Sequence, residues 1–298
     1  MWYLERTHLE IFRALAEEGT LVQAAQRLNL TQPALTHRVR NLEEVLGVAL
    51  VQRSGRRVVL TQAGERLVRA ATQVLPRFER VEEELKRLGR GELPMLRIGV
   101  ECHPCYQWLL GVVEQFLSLC HQEVEVSRRF QFAALDALLH YKVDVVVTPD
   151  PYPSPVLEYH PVLDYFLVAV AGETHPLAQK PYLEPNDLAT ETLLTYPVEE
   201  TRLDVFTRFL LPAGVRPHRH RTEETHELML VLARQGRGVA VLPDWLVAGQ
   251  LEGVVTVPLG RDGMPKQLFV GYRKENARDP GLEKFLELAS KGGFHGKD

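Results

Sequence analysis

Residues 31–60 place an amphipathic helix directly before a short basic hairpin, and this combination limits the folds open to the N-terminus. The apolar residues of the helix recur at intervals of four, three and four, which predicts one buried face: Leu35, Val39, Leu42 and Leu46. Thr31 is a suitable N-cap, and Pro33 is tolerated in the first turn. Beyond Gly47, two apolar runs flank the basic segment 53–57, which is typical of a hairpin.

Two shorter helices are predicted before this one, so the segment forms a helix-turn-helix with a wing. Residues 8–17 and 20–28 carry apolar side chains at helical spacing, Gly19 separates them, and Thr20 can cap the second. An α-helix fits the major groove of DNA, and its first turns usually contact base edges. The opposite face of the third helix carries no acid: Pro33, Thr36, His37 and Arg40. We therefore expect double-stranded DNA as the partner of this domain.

The distribution of charge supports an anionic partner at one end of the chain. The net charge is −4, yet residues 27–60 hold six arginines against two glutamates. A localised basic region in an acidic protein favours a local contact with a polyanion.

The run TQPALTHRVRNLEEVLGVALVQR at 31–53, with LTQAG at 60–64, resembles the LysR-type transcriptional regulators. The resemblance implies a winged helix-turn-helix that binds operator DNA, and a regulator that also contacts RNA polymerase. The residues expected at the DNA, from the helix face and the resemblance together, are Thr31, Gln32, Pro33, Thr36, His37, Arg40, Arg53, Arg56 and Arg57.

Residues 61–92 are predicted to form a long linker helix and a hinge between the DNA-binding domain, 1–60, and a C-terminal domain, 93–298. Thr61 can cap this helix, which spans roughly 40 Å at ~1.5 Å per residue. An apolar seam with heptad spacing follows: Leu67, Ala71, Val74, Phe78, Val81, Leu85 and Leu88. We expect the seam to pair with the same helix of a second subunit, giving a homodimer. A homotetramer through the C-terminal domains is expected from the resemblance.

From Pro94 onward, strand and helix patterns alternate, which predicts an α/β fold with mainly parallel sheets. The predicted strands are 96–100, 125–129, 144–148, 166–171, 191–196, 239–242 and 267–272. The predicted helices are 106–119, 132–140, 201–211 and 224–235. By the resemblance, this is a two-lobed effector domain like the periplasmic binding proteins, with lobe I at 93–162 and 268–298 and lobe II at 163–267.

Ligands of such sheets lie beyond the carboxyl ends of the strands, which selects residues 101–105, 148–150, 196–201 and, less directly, 222–225 as the lining of an effector site. Pro104 suits the first turn of a helix, so the amides of Cys105 and Tyr106 are expected to face a carboxylate. Thr201 and Asp204 are expected to form a capping pair at a second helix start. The candidate effector-binding residues are Glu101, Cys102, His103, Cys105, Thr148, Asp150, Tyr196, Thr201 and Arg202.

Within the LysR family, three strings resemble the regulators of methionine biosynthesis: RIGVECHPCYQWL at 97–109, ETLLTYPV at 191–198, and RLDVF at 202–206 with FLLPAGV at 209–215. This closer resemblance implies activation of methionine-pathway genes with homocysteine as the effector. In the cleft, the guanidinium of Arg202 can donate two hydrogen bonds to a carboxylate, and Glu101 or Asp150 can bind an ammonium group. A regulator tuned to a different small metabolite stays open as the alternative.

Cys102, His103 and Cys105 also leave two chemical alternatives open. With His218, His220 or His226 they have the residue types of a zinc site, in which the spaced pair His218 and His220 is the candidate for the second ligand doublet. A reactive cysteine there would sense redox state or a bound thiol. Enzyme motifs such as GxSxG, a Walker loop or GxGxxG do not occur, so we expect neither an enzyme nor a bound cofactor.

The chain as a whole predicts a protein of the cytoplasm. It has 298 residues, enough for about two domains, and no run of ~18 apolar residues that would cross a membrane. Three cysteines fit a reducing compartment better than a disulfide framework.

Overall fold

The computed structural model describes residues 4–54, 57–102, 104–130 and 133–292. The chain divides into two compact units, the first essentially Met1–Pro94 with Leu139–Lys142, and the second the remainder from Met95. Each unit has its own hydrophobic core.

The N-terminal unit contains the predicted helix-turn-helix and wing. Its helices are α1 (Arg6–Glu18), α2 (Leu21–Arg27) and α3 (Gln32–Leu46). The antiparallel hairpin of β1 (Val51–Ser54) and β2 (Arg57–Leu60) follows. As predicted, the Thr20 and Thr31 side chains cap α2 and α3, and α1 ends at Gly19. Gly47 ends α3, and both glycines lie in the left-handed region.

The linker helix, α4 (Gln62–Gly89), is present, but its apolar residues form two faces rather than one seam. Leu67 and Ala71 lie in the core of the N-terminal unit with Leu75, which the sequence analysis did not select. The prediction that Leu67 and Ala71 pair with a second subunit is therefore wrong, because α1 packs against this part of α4 and already buries them. The exposed apolar residues of α4 are Val74, Phe78, Val81, Leu85 and Leu88.

In the described part of the C-terminal unit, nine strands form one sheet, in the order β4-β3-β5-β11-β6-β9-β7-β8 with β10 also paired to β6. Its strands are β3 (Met95–Val100), β4 (Glu123–Ser127), β5 (Val145–Thr148), β6 (Leu157–Gly172), β7 (Thr192–Thr195), β8 (Arg219–Thr222), β9 (Val239–Pro243), β10 (Val254–Pro258) and β11 (Met264–Arg273). Parallel pairs occur at both ends of the sheet, β4-β3-β5 and β9-β7-β8.

Two long antiparallel strands, β6 and β11, connect the two ends of the sheet. The prediction of mainly parallel sheets is therefore only half right. Of β6, only residues 166–171 were predicted, because Pro161 and the half-buried residues before it break the apolar run. The predicted lobe boundaries at 162/163 and 267/268 fall inside these strands.

Other boundaries also differ from prediction. Strand β4 begins two residues earlier than predicted, since its parallel pairing with β3 starts at Glu123. The polar β8 and the short β10 were missed. The predicted helix 201–211 consists of a 3₁₀ turn, Glu200–Arg202, a π-helical turn, Val205–Leu210, and a further 3₁₀ turn.

The helices of the C-terminal unit cover the sheet and close two main cores. They are α5 (Cys105–Leu119), α6 (Ala134–Leu139), α7 (His226–Arg234), α8 (Asp244–Val247) and α9 (Pro280–Ser290). One core, around the fully buried Trp108 and Phe285, packs α5 and α9 on the β4-β3-β5 end. Another, around Phe206, lies at the β9-β7-β8 end. These two ends are the two lobes.

Candidate DNA-binding surface and effector cleft

The exposed face of α3 carries the residues that the sequence predicts at DNA. Thr31, Gln32, Pro33, His37 and Arg40 are exposed. Of the predicted apolar stripe, Leu35, Val39 and Leu42 are buried, but Leu46 in the last turn is exposed, so its predicted place on the buried face is wrong. The Thr36 hydroxyl is half-buried and donates to the Gln32 carbonyl oxygen at 2.9 Å. The His37 ring lies 3.3 Å from the Asn41 side-chain amide, one turn along the same face. The first turns of α3 therefore present polar groups on a rigid, capped helix.

The wing is held against α3 by a glutamate. One carboxylate oxygen of Glu43 accepts the backbone N–H groups of Leu50 and Val51 at 2.7 and 3.0 Å. These bonds fix the start of β1 relative to the recognition helix.

Of the predicted wing residues, Arg56 lies outside the described residues. Arg53 and Arg57 are in β1 and β2, paired with Val58 and Ser54, but their side chains also lie outside the described part.

In the C-terminal unit, a cleft lies beyond the strand ends of both lobes; the space within it and at its open mouth is about 810 Å³. Glu101 and Cys102 follow β3, Asp150 follows β5, and Tyr196 follows β7, each at the end of a parallel strand. Five of the nine candidate effector residues line this cleft: Glu101, Cys102, Asp150, Tyr196 and Arg202.

A cation between two carboxylates forms the charged end of the cleft. Lys266 of β11 lies 2.9 Å from Asp150 of lobe I and also contacts Asp204 of lobe II. The side chains of Lys266 and Asp204 are 12% and 16% exposed, so solvent screens this pair weakly, whereas Asp150 is 51% exposed. Sequence reasoning missed both Lys266 and the contact role of Asp204, because the residues are 62 positions apart and no local motif marks them.

Two tyrosines, Tyr165 and Tyr196, line the cleft. Burial, with the carboxylates of Asp150 and Asp204 adding to it, raises the pKa of Tyr165 far above its ordinary value. Burial likewise raises the pKa of Tyr196, with a smaller effect from Glu227. Both phenols therefore keep their protons at physiological pH.

Glu101 is a buried carboxylate at the wall of the cleft. One of its oxygens accepts the hydroxyl of Thr148 at 2.9 Å, and that same hydroxyl oxygen accepts the N–H of Asp150 at 3.1 Å. Thr148 is fully buried and does not line the cleft, so it supports Glu101 and Asp150 from behind.

The cysteines depart from the expected anion site. Cys102 and Cys105 form a disulfide, and the Cys105 N–H donates to Cys102 Sγ at 3.2 Å. That amide is therefore engaged with sulfur, and Pro104 occupies the N-cap rather than the first turn. Cys105 is buried behind Cys102. His103 lies outside the described residues.

In the described chain, Thr201 and Asp204 do not form the capping pair that the sequence predicts. The Thr201 hydroxyl contacts Glu199, and the Asp204 carboxylate bonds Lys266 rather than a helix amide. Thr201 is exposed and does not line the cleft, whereas Arg202 does.

Thr195, a further cleft residue, joins the cleft to a histidine behind it. Its hydroxyl donates to the Tyr196 carbonyl oxygen at 3.1 Å and lies 2.7 Å from His220 Nε2. Burial lowers the pKa of His220, against the opposing effect of Glu200.

No metal site or membrane span emerges from the described part of the chain. Within it, no three His, Cys, Asp or Glu side chains lie together in a way that could hold a metal ion. No helix in that part combines the length and apolar character needed to cross a bilayer.

Family models match both units. The model described as "Bacterial regulatory helix-turn-helix protein, lysR family" matches residues 7–65, and that of the "LysR substrate binding domain" matches 89–292. Together they cover the DNA-binding surface and the whole cleft.

Known relatives agree with this assignment. The transcriptional regulator MetR of Escherichia coli is 36% identical over 96% of this chain and 90% of its own. The solved regulatory domain of MetR from N. meningitidis has 29% identity and a TM-score of 0.62, covering 66% of this chain and 93% of that domain. That domain was also solved with two cysteines, three positions apart, replaced by serine.

Full-length CbnR, solved in complex with its target DNA, has the same fold at 23% identity, with a TM-score of 0.62 over 97% of this chain and 99% of that one. The winged helix-turn-helix, the two-lobed cleft and these matches together assign the chain to the LysR family of DNA-binding transcriptional regulators.

Proposed function

We propose that this regulator controls methionine-pathway genes, as an activator, in response to homocysteine in its cleft. The observation that supports this most is 36% identity to MetR across nearly the full chain. The proposal places its action in the cytoplasm, at operator DNA and RNA polymerase.

The chemistry of the cleft suits an α-amino acid. Asp150, Asp204 and Glu101 can accept an ammonium group, and Lys266 and Arg202 can bind a carboxylate. The walls between them are mostly apolar, with Leu167, Leu203 and Val241. A short amino acid with a soft, uncharged end therefore matches both parts of the lining.

Calorimetric titration of the full chain tests the proposal. We expect homocysteine to bind, and methionine, homoserine and cysteine to bind at least about tenfold more weakly, since a misfit of one group costs ~1–3 kcal/mol. Arg202→Ala should weaken homocysteine binding while leaving DNA affinity unchanged.

Thr201→Ala is the matched control, because Thr201 is adjacent but does not line the cleft. Equal affinity for all four compounds would reject homocysteine as the effector. Unchanged binding by Arg202→Ala would remove that residue from the site.

The DNA-binding face gives a separate prediction. Arg40→Ala should weaken operator binding and reduce the slope of log affinity against log salt by ~0.9, because one phosphate contact releases about that many counterions. Arg40→Lys keeps the charge and should keep the slope. Fluorescence anisotropy at several salt concentrations measures both, and an unchanged slope in Arg40→Ala would contradict the placement of Arg40 at DNA.

The homodimer stays a prediction, and its contacts are now expected only from the exposed apolar residues of α4. Leu85 and Leu88 of α4 are 61% and 62% exposed, and Phe78 and Val81 extend the same apolar stripe. A helix with such a stripe is stabilised by pairing with a second copy. Exposed Leu110 and Leu117 on α5 offer a further apolar surface for assembly of dimers into a tetramer.

A further inference from the structure

The Cys102–Cys105 disulfide lies at the wall of the effector cleft, and its two sulfurs differ in access. Cys102 lines the cleft and is partly exposed, whereas Cys105 is almost completely buried in the core of lobe I, with Trp108 and Val147. A molecule in the cleft therefore meets Cys102 first.

The local backbone favours negative charge on Cys102. Cys105 is the first residue of the 15-residue helix α5, and its N–H donates to Cys102 Sγ at 3.2 Å. A sulfur at a helix N-terminus is stabilised as a thiolate by the free amides and the helix dipole. Access makes Cys102 the sulfur that an incoming thiolate attacks. Once the disulfide is open, the stabilised thiolate also makes Cys102 the nucleophile towards a small disulfide.

We infer that Cys102 is a covalent exchange site for small thiols that enter the effector cleft. The thiolate of the small molecule attacks Cys102 Sγ and forms a new S–S bond. The Cys102–Cys105 bond breaks, and its electron pair leaves on Cys105 Sγ, which takes a proton. One thiol and one disulfide are consumed and one of each is formed, so no external oxidant is needed. Attack of the Cys105 thiolate on the mixed disulfide reverses the step.

The selectivity of this site rests on the proposed function, because the charged end of the same cleft selects the thiol. Lys266, Asp150 and Arg202 offer contacts to the ammonium and carboxylate of an amino acid. A thiol amino acid can use both ends at once, whereas methionine and homoserine have no thiol. The cleft thus selects a ligand both by its amino and carboxylate groups and by its thiol.

The sharpest test traps the adduct in the full chain. Cys105→Ser leaves Cys102 as a free thiol with no resolving partner, and it is treated with homocystine, the disulfide of homocysteine. We expect one homocysteine on Cys102, found by intact mass and peptide mapping after acid quench. Cys102→Ser is the matched variant, since it also lacks the disulfide but leaves only the buried Cys105. Cys120→Ser, which removes the free, half-buried cysteine, should not change the result.

Recognition is tested by rate. Homocystine should label Cys105→Ser at least about tenfold faster than 2-hydroxyethyl disulfide, which lacks the amino and carboxylate groups, because one charge-assisted contact accounts for such a factor. Lys266→Met in the same background should remove this preference. Wild-type protein in the disulfide form should also take up one homocysteine on Cys102 before quenching.

The outcomes separate this inference from the proposed function. Absence of an adduct on Cys102 in Cys105→Ser, or equal labelling by both disulfides, overturns the exchange site. Calorimetry of the double variant Cys102→Ser/Cys105→Ser with homocysteine then reports on the function alone: retained selective binding supports a purely non-covalent effector site.

Discussion

Replacing Gly64 with alanine is expected to destabilise the N-terminal unit by about 1–3 kcal/mol. A Cβ atom at this position would lie 2.1 Å from the carbonyl oxygen of Leu50. That oxygen accepts the N–H of Thr61 at 3.0 Å, so it cannot move away without loss of a hydrogen bond. Gly64 therefore lets α4 approach the start of the wing. Thermal or urea unfolding measures the loss, and operator affinity should fall with it.

Gly89→Ala, in the same helix, is the matched control. A Cβ there meets no atom within 4 Å, and alanine is favoured over glycine in helices by up to about 1 kcal/mol. The two substitutions should therefore change stability in opposite directions. Equal effects would show that helix propensity, rather than the close approach to Leu50, decides the outcome at Gly64.

Arg273→Met is expected to destabilise the C-terminal unit by about 3–5 kcal/mol, because it leaves buried partners without a cation. The Arg273 guanidinium donates to the carbonyl oxygens of Leu138 and Val143, both at 2.7 Å, and contacts Asp144 at 3.2 Å. Asp144 in turn accepts the N–H of Arg97 at 2.9 Å, which ties β3 into the same network. Arg273→Lys should recover only part of the stability, because an ammonium lacks the planar fork.

The neighbouring substitution Lys274→Met supplies the comparison. Lys274 is exposed and donates to one carbonyl oxygen, that of Pro155, at 3.0 Å. Surface changes of this kind alter stability by ~0.5 kcal/mol or less. Chemical denaturation measures the free energy of unfolding of both variants. A similarly small decrease in each would contradict the structural role given to Arg273.

Local sequence signals predicted the N-terminal unit well, since caps, glycine stops and the apolar stripe of α3 all act over a few residues. Such local signals did not predict how the linker helix α4 packs. Heptad spacing placed Leu67, Ala71, Val74 and Phe78 on one seam, yet the packing of α1 against α4 buries the first two and leaves the others exposed. Periodicity identifies apolar residues, but it does not say which neighbour covers them.

The cleft shows the same limit at longer range. The rule that ligands lie beyond the carboxyl ends of parallel strands led to Glu101, Asp150 and Tyr196, because strand ends can be recognised locally. Lys266 could not be found in this way. It lies within the antiparallel β11, and only the order of strands in the sheet brings it between Asp150 and Asp204.

The two long strands that join the lobes also determine how the effector domain can deform. The ladder of backbone hydrogen bonds between β6 and β11 resists sliding and wide opening, so the easiest deformation of the pair is a change of twist. The ladder is interrupted where the register shifts between Leu268 and Phe269, opposite the segment that contains Pro161. The two strands are therefore easiest to twist at this point, because their pairing is irregular there. Occupancy of the cleft is thus expected to rotate one lobe against the other by a small angle, a mechanical output suited to graded rather than all-or-none control.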